Sequence, residues 1–283
     1  MEKKYLGIDI GGTFIKYGIV NDSFFEEAGN KIKTNDNSEE FLEQVLSIVE
    51  WALDKCPLIL GIGISIGAFV NPVTGDVNDY SVGANLNEYN LKKIISMKTN
   101  LPVSIENDCN CAILAEHAIG AGMGCDDLCL TTIGTGIGGA ILLNGKLVHG
   151  SSNKAGEFGL SMIGKDKFAG STKNLVSQVT KVVGKEINGE FVFSNLDKPD
   201  IFEIYQAWIE DLAILFGNVA MILNPAKMLI GGGVSANPIF IKDLRSRMYQ
   251  LFLLEDSTDI VACQLENNAG KIGAVIRLIQ DLK

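Results

Sequence analysis

The sequence predicts an α/β protein with two related halves, and three observations carry that prediction. Short β-type runs alternate with helical patterns along most of the chain, as in sheets covered by helices. Two glycine hairpins, Gly11-Gly12-Thr13 and Gly134 to Gly139, lie about 120 residues apart, which reads as an internal duplication with one hairpin per domain. The chain has 283 residues, enough for one large domain or two of ordinary size.

Tyr5 to Ile10 and Phe14 to Val20 are the strands of the first hairpin. A glycine turn lets backbone N–H groups converge on an anion, because no side chain blocks the approach and φ > 0 is allowed. Asp9, just before the turn, is placed to hold hydrated Mg²⁺ beside bound phosphates; the alternative is that it merely caps the turn. Asn37 to Lys55 is an amphipathic helix, capped by Asn37 or Ser38, with Glu39 and Glu40 in its first turn. Leu58 to Ile66 is a strand, and Gly67-Ala68-Phe69 opens a loop. Asn71 to Tyr89 is a long stretch rich in Asn, Gly and Asp, of the kind that lines binding sites. Leu91 to Thr99 is helical and Leu101 to Ile105 is a strand. Glu106-Asn107-Asp108 ends that strand and a helix, Cys109 to Ile119, follows. Asp108 thus sits at a strand-to-helix junction, where side chains of open α/β sheets face the ligand crevice. As a single residue it also reads as a helix N-cap, and the three consecutive polar residues favour a site.

The second hairpin occupies Leu128 to Gly150 as strand, glycine turn, strand, Asn-Gly turn and strand. Gly134, Gly136 and Gly139 match G-x-G-x-x-G, but a dinucleotide fingerprint needs a helix directly after the glycines, and here β-prone residues follow. Glu157, between Gly156 and Gly159 in apolar company, either binds a ligand hydroxyl or meets a cation within the protein. Asn174 to Val183 is a helix, Gly189 to Phe193 an extended piece, and Ile201 to Leu223 a long helix stopped by Asn224-Pro225. Met228 to Gly233 is a strand ending in Gly231-Gly232-Gly233, which either admits a flat ring or makes an ordinary turn. Pro238 to Phe252 and Ala269 to Leu282 are the closing helices, with a strand at Ile260 to Gln264. The expected domains are residues 1–120 with about 268–283, and residues 121–267, sharing a hinge near Gly120 to Gly124.

Hydrophobic residues make up 47% of the chain and charged ones 20%, a balance that supports a large core. The net charge of −10 disfavours a nucleic-acid or anionic-membrane surface, so phosphate must be held by local backbone donors and a metal ion. No apolar run reaches the roughly 18 residues of a membrane span, and the N-terminus has no secretory pattern. The six cysteines read as buried free thiols in a cytoplasmic protein.

Five stretches, LGIDIGGTFIKYGIV, PVSIENDCNCAILAE, TTIGTGIGGAILLNGKL, AGEFG and LIGGGVS, occur in the order and spacing of the ROK family of bacterial sugar kinases. The chain resembles that family over essentially its whole length. The resemblance implies the two-domain actin/hexokinase-like (ribonuclease H-like) ATPase fold with a central cleft. It also implies transfer of the γ-phosphoryl group of ATP, with Mg²⁺, to a sugar hydroxyl, and a homodimer. Asp9, Gly11, Gly12, Thr13 and Lys16 then form the first phosphate loop, and Gly134, Thr135 and Gly136 the second. Gly231, Gly232 and Gly233 resemble the adenosine segment. Asp108 matches the catalytic base, Asn107 and Glu157 match sugar-hydroxyl contacts, and Gly67 and Asn85 fall in loops lining the sugar pocket. Where relatives read G-E-x-G-H, this chain has Leu160 in place of the histidine, and the downstream cysteine cluster is missing, so no zinc site is expected. Asp166, by its spacing to Phe168-Ala169, stands where relatives carry a further sugar-binding Glu. The sequence is similar to zinc-free β-glucoside kinases and N-acetylmannosamine kinases. Repressors of the family carry an N-terminal helix-turn-helix module; here the first phosphate loop begins by residue 9. A catalytically inactive sugar-binding protein is the remaining rival.

Overall fold

The computed structural model describes residues 2–78, 89–163, 166–167 and 170–283. By their contacts these fall into two units: Met1–Ile119 with His149–Lys154 and Asn267–Lys283, and Gly120–Val148 with Ala155–Glu266.

Unit 1 starts with β1 (Lys4–Ile10), β2 (Phe14–Asn21) and β3 (Glu26–Lys33), then α1 (Ser38–Lys55) and β4 (Ile59–Ile66). Two short strands, β5 (Phe69–Val70) and β6 (Val77–Asn78), pair with each other before α2 (Leu91–Thr99), β7 (Val103–Asn107) and α3 (Asp108–Ile119). The sheet runs β3-β2-β1-β4-β7. Its first three strands are antiparallel, and β4 and β7 run parallel to β1. Alternation along the strands sends Leu6, Ile8, Ile10, Ile62, Ile64, Val103 and Ile105 into one core with Phe41, Val45, Ile48 and Val49 of α1. Each such side chain contributes about 1.5–3 kcal/mol by leaving water. Asn37 caps α1, its side-chain oxygen accepting from the amides of Glu39 (3.0 Å) and Glu40 (3.2 Å).

The strand β3 is absent from the sequence reading. Its sequence, EEAGNKIK, has no apolar alternation and most of its side chains are exposed. Backbone pairing with β2 along nearly its whole length makes it a strand.

Unit 2 holds β8 (Leu128–Ile133), β9 (Ile137–Leu143) and β10 (Lys146–Leu147), then the two-residue strands β11 (Met162–Ile163) and β12 (Asp166–Lys167). After these come α4 (Thr172–Val183), α5 (Gly189–Phe193), α6 (Pro199–Leu223), β13 (Lys227–Gly231), α7 (Pro238–Phe252) and β14 (Asp259–Ala262). The sheet order is β10-β9-β8-β13-β14, with β8–β10 antiparallel and β13 and β14 parallel to β8. This repeats the pattern of unit 1, a glycine hairpin followed by two parallel strands. Gly189 to Phe193 is helical and not extended: Asn188 caps it by accepting from the Phe191 amide at 2.9 Å, a local bond that outweighs the β-preference of Phe and Val. The helix α6 has the length and apolar composition of a membrane span; Tyr205, Trp208, Leu212 and Phe216 on it are buried in the core of unit 2.

The chain returns to unit 1 as α8 (Ala269–Asp281), which covers the sheet face opposite α1. Glycines permit the approach. A Cβ on Gly63 of β4 would lie 2.2 Å from the Ala274 carbonyl oxygen, and one on Gly273 would lie 1.8 Å from that of Cys111.

Candidate active site

Parallel register places a row of polar residues at the carboxyl ends of three strands of unit 1. Asp9 of β1 pairs with Ser65 of β4, and Ser65 with Glu106 of β7. All three project onto the α8 face. The Ser65 hydroxyl donates to Asp9 Oδ1 at 2.8 Å, and Lys16 Nζ lies 3.8 Å from Asp9 Oδ2. Lys16 also donates to the Asn267 side chain at 2.9 Å. Burial holds the Asp9 carboxyl above the usual carboxylate range, against the lowering pull of Ser65, Lys16 and Lys271.

Asn107, not Asp108, takes the capping role at α3. Its side-chain oxygen accepts from the amides of Cys109 (2.9 Å) and Asn110 (3.1 Å), and its Nδ2 donates to the Ala68 carbonyl at 3.1 Å. That last bond ties the Gly67-Ala68 loop to the start of the helix. Among the described residues the Asn107 Nδ2 makes no further hydrogen bond. Asp108 occupies the first turn, where the helix dipole favours an anion; its Oδ1 accepts from the Cys109 amide at 2.8 Å. Burial, and next the negative charge of Asp9, push the Asp108 carboxyl up to about 6. A buried carboxyl raised by the charge of a second one is the chemistry a divalent cation relieves. Mg²⁺ keeps several waters and takes one or two carboxylates plus phosphate oxygens. Asp9 fits that role: a Cβ at position 270 would stand 2.4 Å from its Oδ1, so Gly270 leaves the carboxylate its room. Among the described residues no three His, Cys, Asp or Glu gather as a metal cluster. Gly12 and Thr13 at the tip of the first hairpin are exposed. Gly11 is held by its own amide bond to Phe14 O (3.1 Å) and by the Thr34 hydroxyl on its carbonyl (2.7 Å).

In unit 2 the turn Gly134-Thr135-Gly136 is closed by the Gly134 amide donating to the Gly136 carbonyl at 2.9 Å. Neither glycine has positive φ, and a Cβ on either would meet nothing within 4 Å. Open space over the turn, and not left-handed backbone, is therefore what glycine provides here. A cavity of about 760 Å³ beside this turn is lined by Gly134, Thr135, Lys173, Phe193, Gly233 and Val234 among others, within the roughly 300–1,000 Å³ of small-molecule sites. It brings together two segments that the sequence singled out. Gly231 is buried at the end of β13, whereas Gly232 (φ +88°) and Gly233 are exposed beyond it. Because a Cβ there meets nothing, we expect Gly136→Ala to leave the unfolding temperature unchanged, as read from calorimetry.

Glu157 precedes a single 3₁₀ turn, Phe158–Leu160. Glycines press this segment onto β9: Cβ atoms on Gly156 and Gly159 would lie 2.9 Å from the Gly139 oxygen and 2.2 Å from the Ile137 oxygen. The backbone at Glu157 is thereby fixed, and Leu160 is 54% exposed. Asn85 lies outside the described residues, and of Asp166 only the backbone, in β12, is described. The sequence reading passed over the individual roles of Glu106 and His149. Glu106 is 1% exposed and its Oε2 meets His149 Nε2 at 2.7 Å. A glutamate inside an apolar strand was the available clue, since a buried charge requires a partner.

The ROK family model matches residues 5–281. Over 299 aligned residues the chain is 35% identical to the β-glucoside kinase of Listeria monocytogenes, covering 98% of each protein. A candidate N-acetylmannosamine kinase from Listeria monocytogenes superposes with a TM-score of 0.88 at 31% identity, over all of both chains. A ROK family protein from Streptococcus pneumoniae in complex with sucrose gives 0.86 at 26%, over 99% of each chain. The repeated sheets, the two glycine hairpins and the Glu106-Asn107-Asp108 junction are thus those of an actin/hexokinase-like fold, and this chain belongs to the ROK family.

Proposed function

We propose that this chain is an ATP-dependent sugar kinase that transfers the γ-phosphoryl group of MgATP to the 6-hydroxyl of a hexose or hexoside, with a β-glucoside as its preferred acceptor. The observation that carries the reading is Asp108. Its carboxyl, held at about 6, is ionised at neutral pH yet basic enough to take a proton from a hydroxyl as phosphorus–oxygen bonding develops. Asn107 caps the helix amides, and the acceptor hydroxyl donates to the Asp108 carboxylate beside them. Bound magnesium would supply charge neutralisation for the phosphates, with Asp9 holding it through water. The cavity of unit 2 takes the adenosine, and the amides of Gly134 to Gly136 take phosphate oxygens. Glu157, on its pinned backbone, accepts from sugar hydroxyls, and Gly67 lines the pocket through the loop that Asn107 secures.

The β-glucoside preference rests on the 35% identical kinase and on the exposed apolar Leu160, which suits an acceptor carrying an extra group better than a bare hexose. N-acetylmannosamine is the second reading, supported by the 31% identical structural neighbour. ADP release should be measured with MgATP and glucose, cellobiose, aryl β-glucosides, N-acetylmannosamine, N-acetylglucosamine, mannose and fructose. The expected result is the highest kcat/KM on a β-glucoside. Preference for N-acetylmannosamine would transfer the assignment to it. Silence across the panel with sugar binding intact would reject the kinase and favour a sugar-binding protein.

A further inference from the structure

We propose that His149 is a positioning residue for Asp108, acting through the buried carboxylate of Glu106; the inference rests on the role of base given to Asp108 above. Glu106 is a hub with its two oxygens assigned to different tasks. Its Oε1 accepts from the Asn107 backbone amide and from Asn110 Nδ2, both at 2.9 Å. These bonds fix the peptide entering α3 and the first turn of that helix, where Asp108 sits. Its Oε2 is held by His149 Nε2 at 2.7 Å. Burial raises the Glu106 carboxyl, but the hydrogen bond from His149, then those from Asn110 and Asn107, outweigh it and leave the group below its ordinary range.

A second donor faces the same carboxylate. Arg277 of α8 places its Nε 3.7 Å from Glu106 Oε2, beyond hydrogen-bond reach, and that Nε is buried with no acceptor among the described residues. The guanidinium is instead engaged at 3.0 Å with Asp281, which the Ser104 hydroxyl also holds at 2.8 Å. Two donors therefore compete for one carboxylate, and His149 holds it in the rotamer that serves Asn107 and Asn110. Without the imidazole, Glu106 turns towards the unsatisfied Arg277 Nε, because a buried donor without a partner is costly. Its Oε1 then leaves the Asn107 amide, and the turn carrying Asp108 loosens.

The test compares His149→Leu with His149→Gln, whose amide N–H can still donate to the carboxylate. Initial rates give kcat and KM, and hydrogen exchange reports the Cys109 and Asn110 amides that Asn107 caps. For His149→Leu the expected result is a kcat lower by about tenfold to a hundredfold, KM for MgATP unchanged, and faster exchange at those two amides. His149→Gln should restore most of both. Unchanged exchange in His149→Leu, or equal losses in both variants, would overturn the proposal. If His149→Leu does not fold, His149→Asn, whose shorter amide cannot reach Glu106, takes its place. A wild-type protein that turns over no sugar would remove the kinase reading alone, and the exchange comparison would still decide whether His149 holds the turn.

Discussion

We expect Asp108→Asn to lower kcat by about 10²- to 10⁴-fold and to leave KM for MgATP near its original value, because the cavity proposed for the nucleotide is built from other residues. Asparagine keeps the shape and the acceptor for the Cys109 amide and lacks only the basic oxygen. In the unaltered protein, kcat/KM should fall about tenfold per pH unit below pH 6, as the carboxyl at about 6 takes up its proton. Stability moves the other way. A carboxyl raised above its unfolded value binds protons more tightly in the native state, so stability declines as pH rises from about 4 to 6 and stays reduced above. Asp108→Asn should thus resist denaturant better at pH 7.5, by at most about 3 kcal/mol, with little difference at pH 4. Wild-type turnover in this variant would remove Asp108 from the chemistry; an unchanged denaturant midpoint at pH 7.5 would contradict the burial argument.

Asp9→Asn retains the acceptor for the Ser65 hydroxyl but loses the charge that suits a hydrated cation. We expect kcat to fall at least about a hundredfold and the Mg²⁺ concentration for half-maximal ADP release to rise. The acid limb of the residual rate should also move to lower pH, because the charge of Asp9 is the second cause of the elevated Asp108 carboxyl. A magnesium titration across pH 5 to 8 reads both effects. Unaltered magnesium dependence would take the metal away from Asp9, while an acid limb that stays in place would show that burial alone sets Asp108.

What the sequence made legible was local. Both hairpins, the cap at Asn37 and the limits of α2 follow from turn residues and period, because the forces that set them act within a few positions. The strand β3 was illegible because its partner, not its own pattern, makes it a strand. The extended reading of Gly189 to Phe193 failed because one cap at Asn188 decides a five-residue segment. At the site, the Asn107-Asp108 junction announced itself, yet which residue caps and which is left for a ligand depends on side-chain rotamers. The partnership of Glu106 with His149 spans more than forty positions and has no period to reveal it.

The glycine-lined contact of α8 with the first sheet has a bearing on how the protein is made. Strands β1, β4 and β7 are complete once Asn107 is synthesised, but the helix that covers their second face starts only at Ala269. On the ribosome, the face bearing Tyr5, Val20 and the polar row waits uncovered while all of unit 2 is translated. Unit 2, whose principal elements are nearly contiguous in sequence, can close its core first. Unit 1 is therefore the half that stays open to misassociation and to chaperone capture longest during synthesis, and its polar row of Asp9, Ser65 and Glu106 is covered last, when α8 brings Gly273 against Cys111 and Gly270 against Asp9.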